Sequence, residues 1–164
     1  MTEIYFYKYK GSSAITSRDY NTATDYEKID SATYGIHLGK DTASTLLAPA
    51  PMKSDITNDC AVEDGVRFVK NTHKTSRSLT LEFVIAALTP AKRQEAENAL
   101  LSIFYNGFFG MQLPSISNDI YFLSYNSSQS YARSISGCVV KLSVKCTEYN
   151  PLIRFLAGQT NETK

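Results

Sequence analysis

The chain has 164 residues, with 17 Lys and Arg against 16 Asp and Glu, for a formal charge of +1. That length suits one ordinary domain, and charges so evenly balanced lack the field of a nucleic-acid or anionic-membrane binder. A hydrophobic fraction of 43% with 20% charged residues excludes an intrinsically disordered chain.

The first residues, Met1-Thr2-Glu3-Ile4-Tyr5-Phe6-Tyr7-Lys8, lack a basic segment followed by an apolar one, the mark of a secretory signal. The longest strongly apolar run, residues 83–88, is far short of the roughly 20 residues that cross a bilayer. The expectation is a soluble protein made in a cytosol, with no signal peptide and no membrane partner. Cys60, Cys138 and Cys146 form no CxxC pair. In a reducing compartment they read as small buried hydrophobes, with no metal and no cofactor expected.

Ile4 and Phe6 alternate with Tyr5, Tyr7 and Tyr9, the period of a strand. Residues 11–32, rich in Ser, Thr, Asp and Asn, read as an exposed loop or mobile arm. Residues 34–39 read as a short strand that ends at Gly39. Asp41 is placed to cap a brief helix from Ala43 to Leu47, which Pro49 and Pro51 stop. Asp64-Gly65 reads as the turn of a small hairpin between residues 61–62 and 66–69. Leu79, Leu81, Phe83, Ile85 and Ala87 alternate with Thr80, Glu82 and Val84 as a half-buried strand.

Thr89 and Pro90 open an amphipathic helix spanning 89–106. Its apolar stripe is Ala96, Ala99, Leu100, Ile103 and Phe104, and Asn106-Gly107 ends it. Four strand-like segments follow at 108–113, 120–125, 131–135 and 138–147, with breaks at Pro114-Ser115, Asn126-Ser127-Ser128 and Ser136-Gly137. In the last, Cys138, Val140, Leu142, Val144 and Cys146 face one way while Lys141, Ser143 and Lys145 face the other. So many strands beside so few helices predict a mainly β protein, a β-sandwich or split β-barrel with one packed amphipathic helix and a short second one. The division expected is an N-terminal strand and arm (1–31), a β domain (32–157) and a flexible tail (158–164).

No phosphate-binding glycine loop and no GxSxG elbow is present. The two histidines, His37 and His73, have no partner at a local spacing that suggests a general base, so no catalytic residue and no enzyme activity is expected. Asp55, Asp59, Glu63 and Asp64 lack calcium-loop spacing and read as solvated loop charges. Arg67, Lys70, His73, Lys74 and Arg77 form a basic stretch that reads as a solvated face or a contact between subunits. Eleven tyrosines and eight phenylalanines, with no tryptophan, suit either a protein interface or a tyrosine-rich core and sheet edge.

Tyr34-Gly35-Ile36-His37-Leu38, the helical residues 43–47 and Pro49-Ala50-Pro51-Met52-Lys53 resemble the opening of small tail and baseplate proteins from phages and prophages of Bacteroidales-type bacteria. Ser76-Arg77-Ser78-Leu79-Thr80-Leu81-Glu82-Phe83, with the helix after Thr89, is similar to the sheet-and-helix core of distal tail and tail-tube proteins. The stretch from Lys141 through Tyr149-Asn150-Pro151 is similar to their closing strand. The resemblance covers residues 32–151 by layout and implies a non-enzymatic virion subunit that forms a ring of about six copies, partnered by itself and other tail proteins. Open sheet edges paired by sister copies would supply the mechanism. Candidate subunit contacts are Tyr5, Tyr7, Tyr9, Arg67, Lys70, Lys74, Arg77, Tyr125 and Tyr131, with the middle loop 54–76 and a hairpin near 126–131. A non-catalytic module that recognises carbohydrate or peptide through surface tyrosines is the alternative.

Overall fold

The computed structural model describes residues 3–10, 20–59 and 64–157. Among these residues the elements run β1 (Tyr5–Tyr9), β2 (Tyr26–Asp30), β3 (Ile36–Leu38), α1 (Thr42–Leu47), β4 (Ile56–Asp59), β5 (Val66–Val69), β6 (Arg77–Ala86), α2 (Pro90–Tyr105), β7 (Phe108–Gln112), β8 (Ile120–Arg133) and β9 (Val139–Glu148). Seven strands make one antiparallel sheet in the order β2-β1-β7-β8-β9-β6-β3, and β4 with β5 makes a separate two-stranded ribbon.

The protein is mainly β, and its sheet is strongly curled. β1 and β6 stand four strand spacings apart in the order, about 19 Å in a flat sheet. Yet the rings of Phe6 on β1 and Phe83 on β6 lie 5.9 Å apart. Helix α2 fills the concave side: Phe104 packs 5.8 Å from Phe83 and 5.0 Å from Phe109, and Ala96, Leu100 and Ile103 are buried in the same core. The two border strands, β2 and β3, do not pair with each other. They are consecutive in the chain, joined by a 3-10 turn at Ser31–Tyr34 and by Gly35. Ser31 N donates to Ile4 O across one border, and Ala86 N donates to Gly35 O across the other. The result is a split barrel whose seam is bridged by this turn, with no closed ladder.

Local chemistry explains the elements that the sequence marks well. Thr89 accepts from Lys92 N and Pro90 takes the first helical position, where its missing N–H leaves nothing unsatisfied. Along β6, Leu79, Leu81, Phe83 and Ile85 are buried against the core while Ser78 and Thr80 are exposed. Along β9, Val140, Leu142, Val144 and Cys146 are buried in the same way.

Four expectations need correction. Residues 20–30 are not a free arm: Tyr20 and Tyr26 are buried, and β2 pairs with β1 along its whole length. Residues 11–19 lie outside the described residues. The strand after Asp64-Gly65 pairs with residues 56–59, while residues 61–62, expected as its partner, lie outside the described residues. Asn126-Ser127-Ser128 does not end a strand. It lies inside β8, where two register shifts against β9 absorb the extra residues as bulges, so no hairpin exists near 126–131. Asp41 does precede α1, but it has φ 64° and its side chain accepts no capping bond.

The convex face has its own apolar layer. Tyr7, Tyr9, Tyr20, Tyr26, Ile120, Phe122 and Leu156 form a second buried cluster. Its cover comes from residues 20–26 and 153–157, tied by Ala23 N to Ala157 O (2.9 Å), Ala157 N to Asn21 O (2.8 Å) and Ile120 N to Arg154 O (2.9 Å).

Candidate functional site

The nine candidate contact residues are scattered by the fold. Tyr7, Tyr9 and Arg77 are committed to the interior. Tyr7 OH donates to Gln112 Oε1 at 2.9 Å, and burial raises its phenol pKa. Tyr9 packs on Tyr26 at 5.5 Å in an edge-on arrangement. Arg77 pairs with buried Glu148 and donates to the carbonyls of Ala48 (2.6 Å) and Leu46 (2.8 Å) at the end of α1, satisfying carbonyls that a helix terminus leaves open. These three therefore offer no free surface, contrary to the expectation from the sequence. Moreover, β1 is flanked on both sides by β2 and β7, so it is no sheet edge.

Tyr5 and Tyr125 are half-buried. Lys28 Nζ sits 3.8 Å from the Tyr5 ring centroid, and Tyr125 stacks on Phe104 with centroids 5.4 Å apart. Tyr131 is exposed on the outer half of β8, and its hydroxyl donates to Glu97 on α2. Arg67, Lys70 and Lys74 gather on or beside the β4–β5 ribbon. Asp55, read from the sequence as a solvated charge, organises the base of that ribbon. It accepts from Asn71 N at 2.8 Å and lies 3.3 Å from Lys70 Nζ, and these contacts hold its carboxyl below the usual range.

The ribbon is the feature that residue-by-residue reading missed. All four residues of β5 are exposed. The register sets Ile56 opposite Val69 and Thr57 opposite Phe68. Since neighbours along a strand point to opposite sides, Val66 and Phe68 share one face while Ile56 and Val69 share the other. Their exposures are 53%, 65%, 68% and 65% respectively. A lone hairpin with apolar groups on both faces is marginal in water and marks a surface built to be covered. The available signal was Val66-Arg67-Phe68-Val69 itself, an apolar strand lacking the polar alternation of a one-sided one.

Beside the root of the ribbon lies a cavity of about 670 Å³, walled by the ribbon's two ends, by Tyr20 and Phe108, and by the turn after β9. The root is fixed by Lys53 N donating to His73 O at 2.8 Å and Thr75 N to Pro51 O at 2.9 Å. Among the described residues no three His, Cys, Asp or Glu side chains gather as metal ligands would. Cys146 is buried and its thiol is pushed up to about 12 by burial, which opposes thiolate chemistry. Cys60 lies outside the described residues.

No family model matches the sequence, and no curated protein matches it. Among solved structures the fold is similar to the Dit protein (gp 19.1) of phage SPP1, described as a paradigm of the hub adsorption apparatus in phages that infect Gram-positive bacteria. The match has a TM-score of 0.51 at 11% identity and covers 90% of this chain and 50% of that one. At such low identity the shared property is the fold. This chain spans half the length of the phage hub protein whose architecture it shares.

Proposed function

We propose that the protein is a non-enzymatic structural subunit of a phage or prophage tail, of the distal tail, tail-tube or baseplate kind, that assembles with copies of itself into a ring within the virion. The observation that carries this reading is the β4–β5 ribbon, which exposes Ile56, Val66, Phe68 and Val69 on its two faces. Covering both faces of one ribbon takes two surfaces, and a head-to-tail contact repeated by rotation supplies them to every copy. The open borders of β2 and β3 add backbone groups that a neighbour can pair with. The fold shared with a phage hub protein supports the same reading.

Electron micrographs of the purified chain at rising concentration test the proposal. Closed rings of uniform diameter are the expected result, and dispersed single particles at every concentration are the contrary one.

A further inference from the structure

We infer that the cavity beside the ribbon root binds an acidic saccharide. Its volume of about 670 Å³ suits a small ligand. Three kinds of group converge on it, each matching one part of such a molecule.

The first is an aromatic wall. Tyr20, buried in the convex cluster, stacks on Phe108 with centroids 4.6 Å apart and planes at 13°. Phe108 in turn meets Tyr149 edge-on at 5.8 Å and 75°. Tyr149 is therefore held from behind while 55% of it stays open to solvent. An aromatic face held in this way accepts the C–H face of a sugar ring with little ordering cost.

The second is cationic. Lys53 and Lys74 line the cavity with His73, and among the described residues no Asp or Glu lines it. Among the described residues neither lysine has an ion-pair partner. Their backbones lie on facing segments joined by the Met52–Lys74 bridge, both residues line the same cavity, and no carboxylate of a described residue lines it beside them. A ligand carboxylate or phosphate supplies the counter-ion.

The third is hydroxyl and amide chemistry. Asn150 Oδ1 accepts from Leu152 N, which orients the amide and leaves its NH2 for a ligand hydroxyl.

Other occupants fit less well. An extended peptide needs unpaired backbone groups to bond with, but the lining segments already bond each other through Lys53 N and Thr75 N. A nucleotide phosphate calls for a glycine-rich cradle of N–H groups, and among the described residues no glycine lines the cavity.

Calorimetric titration of the full chain decides the matter, using hyaluronan tetrasaccharide, mannose 6-phosphate, neutral chitotetraose and tetraglutamate as probes. The expected result is binding of at least one acidic sugar at least tenfold tighter than chitotetraose and tetraglutamate. The first two probes tell whether the site prefers carboxylate or phosphate. Tyr149→Ala should weaken that binding at least tenfold. The pair Lys53→Ala and Lys74→Ala should abolish the preference for acidic over neutral sugar, with the thermal midpoint unchanged in each variant. No binding of either acidic sugar, equal binding of the neutral one, tighter binding of tetraglutamate, or indifference to these substitutions overturns the inference. Because the ribbon is intact in these variants, ring formation is scored separately in the same samples.

Discussion

Arg77 and Glu148 face each other at the end of the β6–β9 ladder, and Arg77 Nε donates to Glu148 Oε2 where the carboxylate has no access to water. Arg154 approaches the same carboxylate from the segment after β9, with Nε 3.1 Å from Oε1. Tyr121 lies beside both guanidinium groups, 4.6 Å from that of Arg154 and 5.8 Å from that of Arg77. One buried carboxylate thus ties together β6, the end of α1, β8 and the segment that covers the convex face.

Removing that carboxylate leaves the buried Arg77 without its counter-ion and Arg154 with only Asp119, 3.7 Å away, a loss that costs about 3–5 kcal/mol when the pair is buried. Glu148→Ala should therefore lower the unfolding free energy by about that much in urea titration. Arg77→Met should cost less, because Arg154 still balances Glu148. Equal stability of Glu148→Ala and the parent chain would show that the network is solvated and does not organise the fold.

The seam of the barrel makes a sharper steric prediction. Gly35 has φ +67°, and a Cβ there would stand 2.4 Å from the backbone oxygen of Ala86. Left-handed strain and backbone overlap combine, so Gly35→Ala should destabilise by roughly 2–4 kcal/mol. Gly65 supplies the control: its φ is +85°, but a Cβ would meet nothing within 4 Å. Gly65→Ala at the ribbon turn should cost only the left-handed strain, about 1–2 kcal/mol, with no overlap added. Similar losses at the two positions would mean that the 31–35 turn does not hold the borders together.

Alkaline stability follows from buried acids that must stay neutral. Burial raises the Cys146 thiol to about 12 and raises the phenols of Tyr26, Tyr20, Tyr7 and Tyr121 above their ordinary value. Each group keeps its proton longer in the folded chain than in the unfolded one. Their contribution is whole below the unfolded values, near pH 9, and is lost as pH rises toward 12. Thermal midpoints should stay level up to about pH 8.5 and then fall steadily. Cys146→Val should make that fall shallower. A midpoint that rises between pH 9 and 11 would contradict the burial of these groups.

How much the sequence disclosed depended on whether the cue was local. Helix α2 was legible because Thr89, Pro90 and the stripe from Ala96 to Phe104 carry its start and its buried face within one segment. Strands β6 and β9 were legible through alternation. β2 was not, because Glu27, Lys28 and Asp30 mask a border strand whose buried contact is Tyr26 against the distant Phe122. β8 looked like two strands because Asn126-Ser127-Ser128 has turn chemistry, and only pairing with β9 turns it into bulges. Arg77 looked like a surface cation, since Glu148 is 71 residues away. The ribbon's exposure was hidden for the same reason: Phe68 in a strand resembles core until no element is found to cover it.

The most direct test is molar mass by light scattering as a function of concentration, for the parent chain and for Phe68→Ser. Phe68 is exposed, so the substitution should leave the unfolding free energy within about 0.5 kcal/mol of the parent. The parent should grow to a discrete multiple of the chain mass while Phe68→Ser remains a single chain at the same concentration. A parent chain that stays monomeric throughout, or a variant that assembles as readily as the parent, would contradict it.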